Sequence, residues 1–448
     1  MGRRRDRLLE DRLLAGLQAR LRQPGTVAED RTRAEDPVPT GQAHGAVDRR
    51  RPGRHQLRTR TPSMRRRRCW APECPGWYGS HRGPGFGAAG SGEAAGMSQR
   101  LLTAAPQESP APERTQGRDA FFDNAKYLAI VLVAAGHAWE PLRDGSRTVS
   151  ALYMVVYAFH MPAFIVVSGY FSRNFDGSPE RLKRLLTGLV VPYVVFETAY
   201  TLFTRWTDQE PDRPVSLLDP LYLTWFLVAL FMWRLTTPFW KRVRHPLPIA
   251  LAVAMLATLA PSIGNDLDLQ RALQFLPYFV LGLCLQPEHF RMLRRRAVRV
   301  WAVPVFVCAL VIAYWAVPRM SGAWFYHRDS AAELGAPAWS GPLMTLVAFG
   351  CSLLLVACFL SLVPGRRMWF TVLGAGTLYG YLLHGFLAQG AKFWGWYDPA
   401  WIQGPLGALV VGVVAAAIVT VLCTPPVRRV FRCVVEPEMR WGFRRETV

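Results

Sequence analysis

The segment FFDNAKYLAIVLVAAGHAWEP, residues 121–141, is an apolar helix-forming run that contains two ionisable residues, Lys126 and His137. They are eleven positions apart, which on an α-helix places them on one face and roughly 16 Å apart along the axis. A lysine near one end of a membrane helix and an imidazole deep within it are costly against lipid, so the pair favours a site facing the interior of a helix bundle. The structural alternative is a lysine that snorkels to the headgroups and a histidine hydrogen-bonded to a neighbouring helix.

Apolar runs of similar length continue along the chain and are separated by short charged loops. This pattern, with 51% apolar residues overall, predicts an all-α, polytopic integral membrane protein with about ten transmembrane helices. The fifth and sixth runs are the shortest. The ten runs are about 122–141, 149–171, 185–205, 219–240, 246–262, 271–286, 298–317, 341–363, 369–390 and 404–424.

Positive charge alternates between the loops. The loops after the second, fourth, sixth and eighth runs and the segment after the tenth are rich in arginine and lysine, whereas the loops between them are poor in positive charge or acidic. The positive-inside rule therefore predicts a multi-pass protein of the cell membrane with both termini cytoplasmic. A net charge of +21 can also indicate a nucleic-acid partner, but its distribution over alternate loops favours the lipid bilayer, and we expect no nucleic acid.

The two ends of the chain differ from the apolar region in composition. Residues 1–118 are rich in Arg, Gly, Pro, Glu and Ala and are predicted to be a disordered basic region. Within it, the interpretation that we favour is that residues 1–96 lie outside the working protein, and translation starts at Met1 and at Met97 both remain open. Residues 425–448 are predicted to form a basic cytoplasmic tail. The eight cysteines show no metal-ligand spacing, so no metal site is predicted.

Further polar residues lie within the later apolar runs. His160 is near the middle of the second run, Glu197 is in the third, Trp225 begins the TWFLVALF segment of the fourth, and His384 is in the ninth. Glu197 or His384 alone is most simply structural, but three histidines and a glutamate at membrane depth together indicate a polar cavity. We expect Glu197, Trp225 and His384 to contribute to substrate binding in it.

The second loop carries Arg181 and Arg184 in the segment SPERLKRLLTGLVVPY. These arginines are three positions apart after a helix start, so they share one helix face. Two guanidinium groups on one face suit a phosphorylated ligand. Ordinary positive-inside charge explains the pair equally well.

Five of these segments occur in the order found in a known family. The chain resembles the membrane-bound acyltransferase-3 proteins and, among them, the fucose 4-O-acetylase-like group. The resemblance marks residues 119–424 as an acyltransferase-3-like transmembrane domain. It implies a ten-helix O-acyltransferase that transfers an acyl group, usually acetyl from acetyl-CoA, to a hydroxyl of a carbohydrate or glycoside. The segments are RDAFFDNAKYLAIVLVAAGH (118–137), FHMPAFIVVSGYF (159–171), RLKRLLTGLVVPY (181–193), TWFLVALF (224–231) and YGYLLHGF (379–386).

The resemblance also implies site residues. The family's pattern of a basic residue and a histidine in the first helix falls on Lys126 and His137, with lysine in place of the arginine of many members. Its arginine pair, associated with the cytoplasmic acyl-CoA side, falls on Arg181 and Arg184. The soluble esterase-type domain that some members carry is not expected after residue 424.

O-acylation requires a base for the acceptor hydroxyl and a site for an anionic donor, and these residues suit both tasks. His137 is the predicted general base. His160 is predicted to orient it, to stabilise the oxyanion or to act as a second acid or base. Lys126 is predicted to attract the acyl-CoA or stabilise negative charge, with the arginine pair on the CoA phosphates. Direct transfer and an acyl-enzyme intermediate both remain open.

A secondary transporter or exporter of a glycan or small metabolite is the alternative function. In that case the intramembrane histidines and glutamate would couple protons to transport. Paired half-chain repeats would favour this alternative, and the sequence shows no convincing pair.

Overall fold

The computed structural model describes residues 119–207, 209–263 and 266–437. Over these ranges the chain is helical and contains no strand, so the predicted all-α class is confirmed. The predictions for residues 1–118 and for the last part of the basic tail, 438–448, lie outside the described residues.

Ten helices of at least eleven residues, α1 to α10, succeed one another in the described part of the chain and are followed by a basic helix, α11. They are α1 Ala120–Trp139, α2 Arg147–Ser172, α3 Pro179–Trp206, α4 Trp225–Leu235, α5 Pro246–Ala257, α6 Leu269–Cys284, α7 Arg296–Ala316, α8 Ser340–Leu362, α9 Thr377–Phe393, α10 Pro405–Leu422 and α11 Pro425–Val435. Shorter helical segments are Glu140–Leu142, Thr237–Trp240, Pro261–Ile263, Asp266–Asp268, Pro287–Leu293, Gly322–Tyr326 and Thr371–Ala375, and Leu186–Val190 is a π-helical turn within α3.

Five of the described helices, α2, α3, α7, α8 and α10, are long and apolar enough to cross a membrane. They indicate an integral membrane protein. Helices α4 and α5 have 11 and 12 residues, and at 1.5 Å per residue they are well short of the roughly 30 Å hydrocarbon core. The count of ten spans therefore stays a prediction.

Helix α1 begins at a side-chain cap and is buried along most of its length. Asp119 is the N-cap, and its Oδ1 accepts a hydrogen bond from the backbone N–H of Phe121 at 3.0 Å. Acidic side chains at this position also interact favourably with the helix dipole. Because α1 packs against α2, α9 and α10, the polar residues that it carries lie between helices.

Helices α2 and α6 cross with their backbones in contact. Gly169 lies against the backbone of Phe279 and Gly282, and a methyl group on Gly169 would collide with the carbonyl oxygen of Phe279. A methyl group on Gly282 would collide in the same way with the carbonyl oxygen of Val166. Small residues allow this close approach, as they do in membrane helix packing generally.

The basic loops meet at the end of the bundle where α1 begins, which we call the basic end. Asn124 Nδ2 donates to the carbonyl oxygens of Pro364, at 2.8 Å, and of Arg366, at 3.0 Å. Arg173 Nη1 donates to the carbonyl oxygen of Leu285 at 3.0 Å. These bonds gather the segments after α2, α6 and α8 around the start of α1.

The other end of α1 lies in what we call the far end of the bundle. There Lys392 Nζ is 3.1 Å from a carboxylate oxygen of Glu140. Arg143 Nη1 donates to the hydroxyl of Tyr326 at 2.7 Å. These contacts tie the end of α1 to α9 and to the loop between α7 and α8.

Candidate active site

A cavity of about 640 Å³ lies at the far end of the bundle, which we call the polar cavity. Helices α1, α2, α4, α6 and α9 and the loops before α4 and after α7 form its walls. Its volume is in the range of small-ligand sites, and aromatic rings alternate with charged groups along its lining. The aromatic, histidine and charged lining residues are His137, Glu140, Arg143, Tyr153, Tyr157, His160, Tyr222, Trp225, Asp268, Arg271, Phe275, Phe325, Tyr326, Arg328, Asp329, Glu333 and Tyr381.

The structure brings His137 and His160 to this one cavity. His137 is in the last turn of α1, and its Nδ1 lies 3.4 Å from the hydroxyl of Tyr157. The ring of Tyr157 lies in turn against His160, with centroids 4.7 Å apart. Tyr157 therefore connects the two imidazoles that the sequence assigned to catalysis.

Hydrogen bonding fixes the tautomer of His160. Its Nδ1 is 2.8 Å from the carbonyl oxygen of Val156, one turn earlier in α2. A carbonyl oxygen only accepts, so Nδ1 carries the proton and Nε2 is the unprotonated, basic nitrogen. Since His160 lines the cavity, this arrangement equips it to accept a proton or a hydrogen bond from a ligand hydroxyl.

His384 lies next to His137 but does not line the polar cavity. The two ring centroids are 5.6 Å apart. His384 Nδ1 bonds to the carbonyl oxygen of Gly380 at 2.9 Å, and among the described residues its buried Nε2 has no hydrogen-bond partner. The side chain lines a separate, mainly apolar cavity of about 190 Å³ between α1, α9 and α10. Its predicted role in substrate binding stays a prediction.

Of the three predicted substrate-binding residues, Trp225 is the one that lines the polar cavity. Its ring stacks on Phe275, with centroids 5.5 Å apart, and the guanidinium of Arg271 lies 4.6 Å from its ring centroid. An indole held on both sides in this way presents a rigid edge to a ligand.

Glu197 is fully buried and does not line the cavity. Its Oε2 accepts hydrogen bonds from the backbone N–H of Leu221, at 2.9 Å, and from the Thr224 hydroxyl, at 2.5 Å. These bonds fix the loop between α3 and α4. Glu197 therefore acts on the cavity through the loop, and its predicted contact with substrate is untested.

That loop supplies Tyr222, a residue to which the sequence assigned no role. Tyr222 has a φ of 60°, and a left-handed backbone at a non-glycine residue costs on the order of 1–3 kcal/mol. Its ring is 4.9 Å from that of His137, and its buried hydroxyl has no hydrogen-bond partner among the described residues. The strained backbone of Tyr222, next to the imidazole of His137, makes Tyr222 a candidate functional residue.

Charged residues from the start of α6 and from the loop between α7 and α8 form part of the lining of the polar cavity. Asp268, at the start of α6, lies 3.5 Å from Arg271 and 3.7 Å from Arg328. Burial raises the pKa of the Asp268 carboxyl, and the two arginines oppose that rise. Asp329 and Glu333 add two more carboxylates. This part of the lining therefore offers cationic hydrogen-bond donors and anionic hydrogen-bond acceptors.

A second cavity, of about 420 Å³, lies at the basic end between α1, α2 and α4, and we call it the basic-end cavity. It contains Lys126, whose Nζ is 2.8 Å from Asp123 Oδ1. Arg181 and Arg184 do not line it: Arg181 lies 3.6 Å from Asp176, and Arg184 Nε bonds to the carbonyl oxygen of Glu180 at 3.3 Å. The donor-binding roles of Lys126 and the arginine pair stay predictions.

A family model described as an acyltransferase domain, acyltransferase-3, matches residues 119–424, which include α1 to α10 and both cavities. The chain belongs to the acyltransferase-3 family. The family resemblance seen in the sequence is thereby confirmed, and membership places the chain among acyltransferases.

A curated relative covers a smaller part of this acyltransferase-3 chain. The chain is 35% identical over 147 residues to the nodulation protein NolL of Mesorhizobium japonicum. The aligned region is 30% of this chain and 39% of that protein, so the chain spans about two fifths of its relative's length. No solved structure matches.

Proposed function

We propose that this protein is an integral membrane O-acyltransferase that moves an acetyl group from acetyl-CoA to a hydroxyl of a carbohydrate or glycoside. Family membership supports the class of reaction. The observation that carries the proposal is the polar cavity, in which His137 and His160 lie together with aromatic rings and hydrogen-bonding groups suited to a polyhydroxylated acceptor.

In the proposed reaction, His137 takes the proton of the acceptor hydroxyl as its oxygen attacks the thioester carbonyl carbon. The carbon–sulfur bond breaks, and the proton passes from the imidazole to the leaving sulfur, giving the ester and the free thiol of CoA. With the Tyr157 oxygen accepting from Nδ1 of His137, Nε2 would be free to take the proton. The described lining residues of the cavity include no cysteine, serine or threonine, which favours direct transfer.

Two further residues complete the proposed site. His160 Nε2 accepts a hydrogen bond from the acceptor and orients it. The Tyr222 hydroxyl, buried beside His137 without a partner among the described residues, donates to the oxyanion that forms at the carbonyl oxygen. A donor held in place before the reaction stabilises developing charge without reorganisation.

The two cavities give the proposed reaction a direction. The basic end carries arginine-rich loops, and the positive-inside rule supports the proposal that this end faces the cytoplasm of a cell-membrane protein with both termini inside. Acetyl-CoA would then reach the site from the basic-end cavity. The polar cavity, at the opposite end of α1, would receive the acceptor from the outer side.

The test uses the full chain in membranes with radiolabelled acetyl-CoA and a panel of sugars and glycosides. The wild type should label an acceptor, and His137→Ala should abolish the labelling at an unchanged protein level. His245→Ala is the matched control, because His245 is an exposed histidine in the loop before α5. Labelling that survives in His137→Ala would remove His137 from the mechanism. Movement of labelled sugar across the membrane without acetyl-CoA would instead support the transporter.

A further inference from the structure

Arg234 is a cation near the end of α4 to which the sequence assigned no role. It is partly buried, it lines the basic-end cavity, and its Nε lies 3.2 Å from the Ser172 hydroxyl. Among the described residues no carboxylate lies within 4.0 Å of its guanidinium nitrogens. A guanidinium has five N–H donors, so most of its hydrogen-bonding capacity is left for a ligand.

The carboxylates of the basic-end cavity are engaged elsewhere. Asp119 caps α1 through the N–H of Phe121, and Asp123 pairs with Lys126. The rest of the lining is Ser168 and the apolar side chains Phe122, Phe164, Val167 and Phe171. The cavity thus has an ion pair on its α1 wall and a cation held by a neutral hydroxyl on its α4 wall.

Snorkelling to lipid headgroups would be the ordinary role of an arginine at this position. A snorkelling side chain extends away from the bundle along the membrane normal. Arg234 instead bonds to Ser172 on the neighbouring helix α2 and faces the cavity. Its position is that of a residue that binds a ligand between helices.

We propose that Arg234 binds a phosphate of the acyl-CoA in the basic-end cavity, an assignment that rests on the proposed function. Arginine binds phosphate oxygens through two parallel N–H donors. Lys126, in the same cavity, is roughly 16 Å along α1 from His137, so a donor held here by its phosphates has to span that distance to bring its thioester to the histidines. Arg181 and Arg184 are outside this cavity.

The test measures binding of radiolabelled CoA, and of pantetheine, which lacks the phosphates, to the full chain in phosphatidylcholine nanodiscs. Arg234→Gln should weaken CoA binding about 10- to 100-fold, as expected for a lost charge-assisted bond, and leave pantetheine binding unchanged. Arg234→Lys should retain an intermediate affinity for CoA. Arg291→Gln is the matched control, because Arg291 is an exposed arginine in the segment after α6 and is paired with Glu288.

Several results would overturn the assignment. They are a wild type that does not bind CoA, CoA binding within twofold of the wild type in Arg234→Gln, and an equal loss of CoA and pantetheine in that variant. Nanodiscs with phosphatidylglycerol test the other source of phosphate: if Arg234→Gln alters only the response to this lipid, Arg234 binds a headgroup and the assignment is wrong.

The binding assay also separates this inference from the proposed function. Arg234-dependent CoA binding without any acetyl transfer would contradict the proposed function and leave the phosphate site standing. Transfer by Arg234→Gln with an unchanged KM for acetyl-CoA would contradict the phosphate site alone.

Discussion

The polar cavity and the basic-end cavity both lie against α1, but they are built differently. The polar cavity, of about 640 Å³, is lined by residues from helices and from two loops, and its lining carries charges of both signs. The basic-end cavity, of about 420 Å³, is lined by three helices, and much of its wall is apolar. The first suits many weak polar contacts to a hydroxylated ligand, and the second suits one strong contact to an anion.

Under the proposed function, this difference lets one helix serve two substrates, the acyl donor at the basic end and the acceptor at the far end. Lys126 and His137 share a face of α1 and are eleven positions apart, or roughly 16 Å along the helix. Under the proposed function, this distance separates the site that holds the donor from the site of the chemistry. If this division is correct, changes in the polar cavity should alter the rate of transfer and leave CoA binding intact. Changes at the basic end should weaken CoA binding and leave the rate of transfer at saturating acetyl-CoA unchanged.

Replacement of His160 in the polar cavity should give the largest effect among the following changes. His160→Gln removes Nε2, which is the unprotonated nitrogen because Nδ1–H donates to the carbonyl oxygen of Val156. We expect kcat to fall about 10²-fold or more, because an acceptor hydroxyl displaced by about 1 Å loses this much rate, with CoA binding unchanged. The measurement is the rate of acetyl transfer at saturating acetyl-CoA together with CoA affinity in nanodiscs.

The matched change for His160 is His384→Gln. Both rings donate Nδ1–H to the carbonyl oxygen one turn earlier, but His384 lines the separate apolar cavity. We expect its effect on kcat to be much smaller. Equal losses in the two variants would show that the polar cavity does not define the catalytic region.

Tyr222→Phe should give the next largest effect. The change removes the buried hydroxyl beside His137 and keeps the ring. If that hydroxyl donates to the oxyanion, kcat should fall about 10²-fold, the lower range for a lost oxyanion donor. The expected split is a lower kcat with little change in KM for acetyl-CoA. Tyr314→Phe is the control, because Tyr314 is an exposed tyrosine on α7 outside the cavity.

The sequence predicted the helices and singled out two histidines of the candidate site, because both inferences depend on local patterns. The second apolar run, 149–171, coincides within two residues with α2. His137 and His160 stand out because imidazoles in apolar runs are rare. The cost of exposing an imidazole to lipid favours an interior position, and both residues line the polar cavity. The alternation of basic loops likewise matches the gathering of those loops at the basic end.

The remaining site residues have no such local signal. Tyr222 and Asp329 come from loops, and their position depends on distant contacts such as those of Glu197 with the loop before α4. The sequence does not distinguish the structural role of Glu197 from a ligand-binding role, because a carboxylate within an apolar run has the same sequence pattern in both cases. Arg234 resembles an ordinary positive charge at a helix end, and only the packing of α4 against α2 distinguishes it.

A packed layer separates the two cavities in this structure. Met161 lines the polar cavity and Phe164, three residues later on α2, lines the basic-end cavity. Ile130 and Ile165 are fully buried in the same core. A thioester arm anchored at Arg234 therefore reaches His137 only if side chains of this layer move.

Enlarging a side chain in that layer should have a smaller effect than the changes at His160 and Tyr222. It tests directly whether the acyl group passes between the two cavities. Met161→Trp adds volume where the acyl group must pass. We expect transfer to fall about tenfold, which corresponds to about 1.4 kcal/mol added to the barrier. CoA binding should be unchanged, because the phosphate contact lies below the layer. Met154→Trp is the matched control, since Met154 is also on α2 but lines an apolar cavity between α2, α7 and α8. Equal transfer rates in Met161→Trp and the wild type would mean that the acyl group takes another path, and the comparison of two cavities joined along α1 would fail.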